Sequence, residues 1–278
     1  MRVTTDAPIT LTDGSSVAVL APHRGGLVTR FAVAGRPVLF MDDATLADPT
    51  KNVRGGVPVL FPTPGKLTGD AWARGGQTGA LKQHGFARNL AWRTIATTVN
   101  SATIALEADA GTRAAYPWDF AVEMTVALRG ATLRLDHRVT NRSDTAMPFG
   151  FGFHPYFAVA DADKAGTTIA TAATRAFDNV TKKTIALAGP IDLTQTEVDL
   201  HLLDHGRTES ALSLPGGHAV ELRGSADYTH WVVWTLAGRD FVCLEPWTAP
   251  GDALNTGDRV LELAPGATRA LWIEISAR

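Results

Sequence analysis

The chain has 278 residues, of which 45% are hydrophobic and 19% charged, and 26 basic residues nearly balance 28 acidic ones. No segment approaches the roughly 20 apolar residues that cross a bilayer, and no basic field is available to hold a nucleic-acid backbone. The single cysteine, Cys243, excludes an intrachain disulfide and a cysteine-cluster zinc site. We therefore expect neither membrane nor nucleic-acid partners, and because the N-terminus has no hydrophobic signal segment, we expect a cytoplasmic protein.

Apolar residues alternate with polar ones along most of the chain, which predicts half-buried β-strands. The clearest pair is 120–128 and 133–140, joined at Arg129-Gly130 as an antiparallel hairpin. The segments 260–263 and 270–275, on either side of the Pro265-Gly266 turn, predict a second strand pair. The remaining predicted strands are 17–20, 27–33, 92–99, 103–107, 211–214, 219–222, 231–235 and 241–244.

These strands are not interleaved with helical patterns, and no segment keeps an apolar period of 3.6 over three turns. The pattern predicts an all-β fold, a large antiparallel β-sandwich or barrel, in a single domain over residues 1–278. Residues 43–85 hold four prolines and many glycines with few strand signals, so they are predicted to form a long loop. Loops of this length inside a compact domain are usually functional.

His154 is the most informative residue, because its imidazole sits in the aromatic and glycine-rich segment 149–157 (FGFGFHPYF). Histidine transfers protons near neutral pH, and Pro155 favours an extended backbone at His154. Gly150 and Gly152 leave room for a close approach. Two interpretations stay open: a core histidine whose ring nitrogens bond the backbone, and a proton donor that faces a pocket.

Glu245 lies at the end of a predicted apolar strand, in 243–247 (CLEPW), with Cys243 on the same face. A buried carboxylate is costly unless it is paired or useful, and burial raises its pKa toward the range of a general base. The alternative is a structural ion pair with an arginine.

Further charged residues lie in the predicted loop and just after it. Arg54 begins 54–62 (RGGVPVLFP), and His84 and Arg88 lie in 83–88 (QHGFAR) next to Lys82. Guanidinium groups suit bidentate contacts with hydroxyls, carboxylates or phosphates, so we expect ligand contacts here rather than only solvated charges.

The other histidines have weaker claims. His137 falls on the apolar face of its strand and is predicted to be a core residue. His23, His201, His205, His218 and His230 lack surroundings comparable to those of His154, although Asp204 and His205 together remain a candidate pair. No phosphate-binding loop, dinucleotide glycine motif or nucleophile elbow is present.

Taken in order, the segments 54–62, 83–88, 154–157 (HPYF) and 243–247 resemble the motifs of the aldose 1-epimerase (galactose mutarotase-like) superfamily. The first two segments particularly resemble the branch of hexose-6-phosphate epimerases and lactose-operon-type epimerases. The resemblance implies a large β-sandwich with few short helices, and it covers most of the chain.

The same resemblance implies a cofactor-independent and metal-free isomerase that interconverts the anomers of a hexose or hexose 6-phosphate. His154 would be the general acid at the ring oxygen and Glu245 the general base at the anomeric hydroxyl, facing each other across a sugar-sized space. The substrate-binding residues would be Arg54, His84, Arg88, Asp204 and Trp247, with Asp204 as the auxiliary aspartate and Lys82 a further phosphate contact.

Two other functions remain open. A non-catalytic carbohydrate-binding sandwich would use tryptophans, such as Trp72, Trp118, Trp234 and Trp247, to stack on sugar faces. A metal-dependent enzyme would bind its ion through His84, His154 and Glu245, although these residues lack the close histidine spacing usual in such sites. No interface pattern predicts an oligomeric state.

Overall fold

The protein is described by a computed structural model covering residues 7–278, and it consists mainly of antiparallel β-strands. The strands are, in chain order, β1 (Ile9–Asp13), β2 (Ser16–Ala21), β3 (Leu27–Val33), β4 (Arg36–Pro37), β5 (Val59–Leu60), β6 (Ala71–Arg74), β7 (Gln77–Ala80), β8 (Arg93–Thr97), β9 (Ser101–Glu107), β10 (Phe120–Arg129), β11 (Thr132–Asn141), β12 (Met147–Phe149), β13 (Gly152–Phe153), β14 (Tyr156–Ala158), β15 (Thr168–Ala170), β16 (Arg175–Asp178), β17 (Lys183–Ala186), β18 (Glu197–Leu202), β19 (Glu209–Leu214), β20 (His218–Gly224), β21 (His230–Leu236), β22 (Phe241–Trp247), β23 (Leu261–Leu263) and β24 (Thr268–Ala277).

The helices are short, as expected for an all-β fold. The α-helices are α1 (Asp43–Ala47), α2 (Ala110–Ala115) and α3 (Ala253–Thr256), and three 3₁₀ turns cover Thr68–Asp70, Ala87–Asn89 and Asp161–Gly166. Along residues 7–278, the structure has no helix with both the length and the apolar character needed to cross a bilayer.

Two eight-stranded sheets form the body of the sandwich. The first sheet has the order β15-β19-β20-β24-β11-β10-β9-β8, and the second has the order β17-β16-β18-β21-β22-β13-β5, with β14 also paired to β22. Smaller sheets contain β1 to β4, β6 with β7, and β12 with β23. This arrangement confirms the predicted all-β, antiparallel sandwich with few short helices.

The core lies between the two large sheets. On β10, the residues Phe120, Val122 and Met124 are fully buried and alternate with more exposed ones, which is the predicted period-two pattern. Aromatic rings join the layers: Phe61, next to β5, packs on Phe120 of β10 at 5.0 Å between ring centroids. Burial of apolar surface, to which such large rings contribute, is the dominant favourable term in folding.

Most predicted strands are observed, and two predictions are wrong. The hairpin of β10 and β11 forms as expected, with Arg129 opposite Thr132. In contrast, β23 and β24 do not pair with each other, because β23 pairs with β12 and β24 lies between β11 and β20. Residues 43–85 are also not one continuous loop, because they include α1, β5 and the β6–β7 hairpin.

Candidate active site

A cleft of about 650 Å³ lies over the face of the second sheet that points away from the core. On β22, Val242 and Leu244 belong to the main core, and Glu245 and Trp247 line the cleft. The predicted alternation therefore places the functional candidates on the face opposite the core. The lining residues are Asn52, Val53, Arg54, Lys66, Gln83, His84, Arg88, His154, Tyr156, Phe177, Asn179, Glu197, Asp199, His201, Leu203, His230, Val232, Trp234, Glu245, Trp247, Pro250 and Gly251.

His154 and Glu245 are in direct contact in this cleft. The Nε2 atom of His154 lies 3.3 Å from Oε1 of Glu245, and the two side chains are 10% and 2% exposed. Strand pairing sets this contact, because β14, which follows His154, pairs with β22, which carries Glu245. The expected separation of the two groups by a sugar-sized space is therefore wrong.

The imidazole of His154 is held by aromatic neighbours. It stacks on Tyr156 at 4.8 Å with an interplanar angle of 14°, and the edges of Trp234 and His84 approach it at 5.6 and 5.5 Å. Its Nδ1 atom and the Oε2 atom of Glu245 are buried without a hydrogen-bond partner among the described residues. Because the ring also lines the cleft, it is not the satisfied core histidine of the alternative interpretation.

The surroundings shift the two titrations in opposite directions. Burial raises the pKa of Glu245 well above its usual value, and the negative charge of Asp199 adds to the rise. Burial lowers the pKa of His154 well below its usual value, and the charges of His84 and Arg88 contribute. An ion pair and a neutral pair hold the same single proton, and both shifts favour the neutral pair, with a protonated carboxyl and an uncharged imidazole.

Glycines let the segments 54–62 and 83–88 reach the cleft. Gly56 has φ of +64°, and a Cβ there would lie 2.2 Å from the carbonyl oxygen of Val28. Gly85 has φ of +67°, and a Cβ would lie 2.2 Å from the carbonyl oxygen of Phe61. A larger residue at either position would push its loop, with Arg54 or His84, away from the sheet.

The loop side chains differ in how firmly they are held. His84 hydrogen-bonds through Nδ1 to the carbonyl oxygen of Pro64, and burial lowers its pKa to about 3. Arg88 donates to the carbonyl oxygen of Gln83 at 3.2 Å, but its buried Nε has no hydrogen-bond partner within the described part of the chain. Arg54 lies 6.0 Å from the ring centre of Trp234, at the range of a cation–π contact.

A second group of cleft residues was missed by the sequence reasoning. Asp199 and His201 lie on β18, and His230 begins β21. The Oδ2 atom of Asp199 accepts a hydrogen bond from Asn179 at 2.7 Å, and Nδ1 of His201 lies 2.9 Å from Nε2 of His230. The local sequence contains one indication of these residues, because the buried Val198, Leu200 and Leu202 alternate with Asp199 and His201 on β18.

Two predicted residues lie elsewhere. Asp204 accepts hydrogen bonds from the backbone and hydroxyl of Thr174 and from the backbone of Arg175, which ties it to the start of β16 outside the cleft. Its assignment as the auxiliary aspartate is therefore wrong, and Asp199 occupies the cleft instead. Lys82 pairs with Asp70 at 2.8 Å and does not line the cleft, whereas Lys66 does.

The tryptophans divide between two regions. Trp234 and Trp247 line the cleft, so they remain candidates for contact with a sugar face. Trp72 and Trp118 pack on each other in the core at 5.5 Å. This packing removes the last two from the set predicted to stack on sugars.

The metal site of the alternative hypothesis is not assembled as predicted. His84 is held by Pro64, and within residues 7–278 the three side chains whose ligand-type atoms come within 4.8 Å of one another are His154, Cys243 and Glu245. Cys243 is fully buried next to Glu245 on the same strand face, where burial raises the pKa of its thiol well above the usual value. The prediction of a metal-free and cofactor-free site stays a prediction.

Fold and site together define a class: a large β-sandwich whose sugar-sized cleft holds a buried histidine and carboxylate in contact. Sequence comparison agrees, because the aldose 1-epimerase family model matches residues 8–276. The chain belongs to the aldose 1-epimerase family, and this membership supports an isomerase of the epimerase type.

Individual relatives support the predicted branch as well as the superfamily. The chain is 25% identical over 256 residues to the chromosomal protein LacX of Lactococcus lactis subsp. lactis, covering 81% of this chain and 83% of LacX. It is 32% identical over 151 residues to a Cenchrus ciliaris protein provisionally named a glucose-6-phosphate 1-epimerase, covering 49% of this chain and 42% of that protein. The crystal structure of Slr1438 from Synechocystis sp. PCC 6803 superposes with a TM-score of 0.94 at 35% identity, covering 100% of this chain and 97% of Slr1438.

Proposed function

We propose that this protein is a cytoplasmic aldose 1-epimerase, or mutarotase, that interconverts the α and β anomers of a hexose or hexose 6-phosphate without a cofactor. The observation that carries the proposal is the contact between His154 Nε2 and Glu245 Oε1, 3.3 Å long, in a cleft of about 650 Å³. A cleft of this size suits a small-molecule substrate.

The chemistry of a cyclic sugar explains why the two groups lie close together. The ring oxygen and the anomeric hydroxyl oxygen are bonded to the same carbon, so an acid and a base that act on them need to be neighbours rather than face each other across the whole ring. The adjacent arrangement of His154 and Glu245 therefore suits the proposed roles better than the predicted separation.

In the proposed reaction, the Glu245 carboxylate takes the proton of the anomeric hydroxyl while protonated His154 gives its proton to the ring oxygen. The bond between the anomeric carbon and the ring oxygen breaks, and an open-chain aldehyde forms. Rotation about the bond between the first two carbons exposes the other face of the aldehyde. On reclosure, protonated Glu245 returns the proton to the carbonyl oxygen and neutral His154 takes the proton of the attacking hydroxyl.

The pair contains one proton before and after each half of this reaction. Its total charge therefore stays constant inside a buried site, where a change of net charge is costly. The opposite pKa shifts of His154 and Glu245 favour the neutral pair, which is the form that the two residues have while the sugar ring is open.

The direct test is anomer-exchange NMR with free and phosphorylated hexoses side by side. We expect faster exchange with the wild-type protein, and a loss of about 10²- to 10⁴-fold in Glu245→Gln, which keeps the shape and removes the base. Glu274→Gln, on the other large sheet, is the matched control and should keep the wild-type rate. Exchange no faster than in buffer across a broad sugar panel would contradict the proposal.

The loop cations favour the phosphorylated sugar. Arg54, Lys66 and Arg88 line the cleft, and the unpartnered Nε of Arg88 is suited to a phosphate oxygen. We expect Arg88→Met to raise KM for a hexose 6-phosphate about 10- to 100-fold and to change KM for the free hexose much less. Lys82→Met is the control, because Lys82 is a loop cation outside the cleft; an equal effect of Arg88→Met on both sugars would remove the preference.

The alternative is a carbohydrate-binding protein without turnover, favoured by the two tryptophans in the cleft, Trp234 and Trp247. It predicts sugar binding in calorimetry that Glu245→Gln leaves unchanged, with no anomer exchange. Binding without exchange would favour this alternative over the epimerase.

A further inference from the structure

Arg259 begins a chain of hydrogen bonds that ends at the cleft. Its side chain is 34% exposed, and its guanidinium contacts the carboxylate of Asp258 at 3.3 and 3.4 Å. The same group donates to the carbonyl oxygen of Thr229 at 3.3 Å and approaches Nδ1 of His230 at 3.4 Å. The chain continues from His230 Nε2 to His201 Nδ1 at 2.9 Å.

The chemistry of these groups allows only one set of proton positions for neutral rings. A guanidinium has donors and no acceptor, so Nδ1 of His230 accepts and its proton lies on Nε2. His230 Nε2 then donates to His201 Nδ1, and the proton of His201 lies on its own Nε2. The reverse direction would require His230 without any ring proton, an imidazolate. Burial supports neutral rings, because it lowers the pKa of His201 to about 4 and that of His230 well below its usual value.

The Nε2 atom of His201 faces Asp199 at a distance too long for a direct hydrogen bond. The separation to Asp199 Oδ1 is 3.7 Å, and both residues line the cleft. The other carboxylate oxygen of Asp199 is occupied by Asn179. One hydroxyl oxygen placed beside this gap can accept from His201 Nε2–H and donate to Asp199 Oδ1. A sugar hydroxyl is both a donor and an acceptor, so it satisfies both groups at once.

We propose that Arg259 is a positioning residue that holds His201 in the Nε2–H tautomer, so that His201 and Asp199 together bind one hydroxyl of the sugar. The sugar-binding part rests on the proposed function, whereas the tautomer does not. Arg259 does not line the cleft itself, and it acts through His230. The ring of Trp247 packs on both imidazoles, at 5.5 Å from His201 and 5.7 Å from His230, which limits their rotation.

The tautomer is tested by ¹⁵N NMR of the imidazole nitrogens in the sugar-free protein at neutral pH. In the wild type we expect His201 and His230 to carry their protons on Nε2. In Arg259→Met, which keeps the length and removes the donors, both rings should show mixed tautomers. Arg259→Lys should restore the wild-type signals, and Arg142→Met, another ion-paired arginine far from these histidines in sequence, is the matched control.

Kinetics test the consequence for the sugar. Loss of one oriented donor should raise KM about two- to tenfold in Arg259→Met with kcat within twofold, and Arg259→Lys should recover most of the affinity. A proton on Nδ1 of His201 in the wild type would overturn the tautomer, and unchanged imidazole signals in Arg259→Met would overturn the positioning role of Arg259. A mixed tautomer with unchanged KM would overturn the hydroxyl contact.

The two proposals can fail separately. If the wild type does not exchange anomers, sugar affinity from calorimetry replaces KM in the same variants. Correct tautomers and a weaker sugar affinity in Arg259→Met would then support the hydroxyl site even though the epimerase proposal had failed.

Discussion

The interior between the sheets and the cleft on the second sheet each contain a buried histidine in an aromatic enclosure. His137 stacks on Phe151 at 4.4 Å, and His154 stacks on Tyr156 at 4.8 Å. Burial lowers the pKa of both imidazoles, to about 3 for His137. The two environments are closely similar in packing and in the direction of the pKa shift.

They differ in partner and in access. His137 is fully buried and its Nε2 lies 2.7 Å from the hydroxyl of Tyr228, a group that does not ionise near neutral pH. His154 faces the carboxylate of Glu245 and opens onto the cleft. Burial and a lowered pKa therefore do not distinguish a proton-transfer group from a structural one. What distinguishes the two histidines is that His154 has a titratable partner and is accessible from the cleft.

Substitution of each histidine by glutamine should separate these two roles, and it is expected to give the largest effect of the variants considered. We expect His154→Gln to lower the rate of anomer exchange about 10²- to 10⁴-fold, because it removes the acid. His137→Gln should keep the rate within twofold and lower the free energy of unfolding by about 1 to 3 kcal/mol, because the Tyr228 hydroxyl loses a well-placed partner. NMR exchange rates and urea unfolding measure the two effects; similar rate losses in both variants would remove the distinction.

The carboxylate of Glu245 should also affect how the free energy of unfolding depends on pH. The pKa of Glu245 is raised in the folded state, so its favourable contribution is present below the usual pKa of a glutamate and is lost as the pH rises through the folded value. Glu245→Gln should therefore stabilise the protein at pH 8, by about 1 kcal/mol or more, with little change near pH 4. Urea unfolding at the two pH values is the measurement.

Glu274→Gln is the control for that experiment. Its carboxylate accepts from Arg134 at 2.8 Å on the outer face of the first sheet, so its loss should slightly destabilise the protein at pH 8. If Glu245→Gln destabilised the protein to the same degree, the carboxylate would be a structural ion-pair member rather than a strained functional group.

Acid should destabilise the protein through both regions. His84 and His137 have pKa values lowered to about 3, so the unfolded chain takes up protons first as the pH falls below about 6.5. The contribution of these two histidines to the free energy of unfolding is complete above that pH. It is lost as the pH falls toward their folded pKa values, at about 1.4 kcal/mol per pH unit for each histidine. In His137→Gln, the dependence of the unfolding free energy on pH between pH 6 and 5 should decrease by the equivalent of about one proton. An unchanged dependence would contradict neutral burial of His137.

The smallest effect is expected at Asp204. Because its carboxylate binds Thr174 and the backbone of Arg175 outside the cleft, Asp204→Asn should leave kcat and KM for every sugar within twofold. Asp199→Asn, in the cleft, should raise KM. A larger kinetic effect at Asp204 than at Asp199 would reverse the assignment of the two aspartates.

The strand pattern was predictable because it is local. Alternation along 120–128 and 133–140 requires only that one face of each strand be buried, and both strands formed as expected. The partner of a strand is not local: β23 follows the rules of a strand, yet it pairs with β12 rather than with its neighbour β24. Chain proximity favoured the wrong partner, and the packing of the whole sandwich chose the other.

The residues of the site also divide into those that local motifs predict and those that depend on strand pairing. Arg54, His84, Arg88, His154, Glu245 and Trp247 were selected from short motifs, and all of them line one cleft. Asp199, His201 and His230 were passed over because their surroundings in sequence are ordinary strand residues. Their place in the cleft depends on the pairing of β18 with β21, and Asp204, only five positions beyond Asp199, lies outside the cleft.

The sequence by itself determined which residue types were available, which segments form strands and which family the motifs resemble, since each of these depends on side chains a few positions apart. The tertiary structure alone decided that His154 touches Glu245, that Arg259 reaches His201 through His230, and that His137 is enclosed where His154 is open. Contacts between distant strands depend on register and on the loops above the sheet, and no local pattern specifies either.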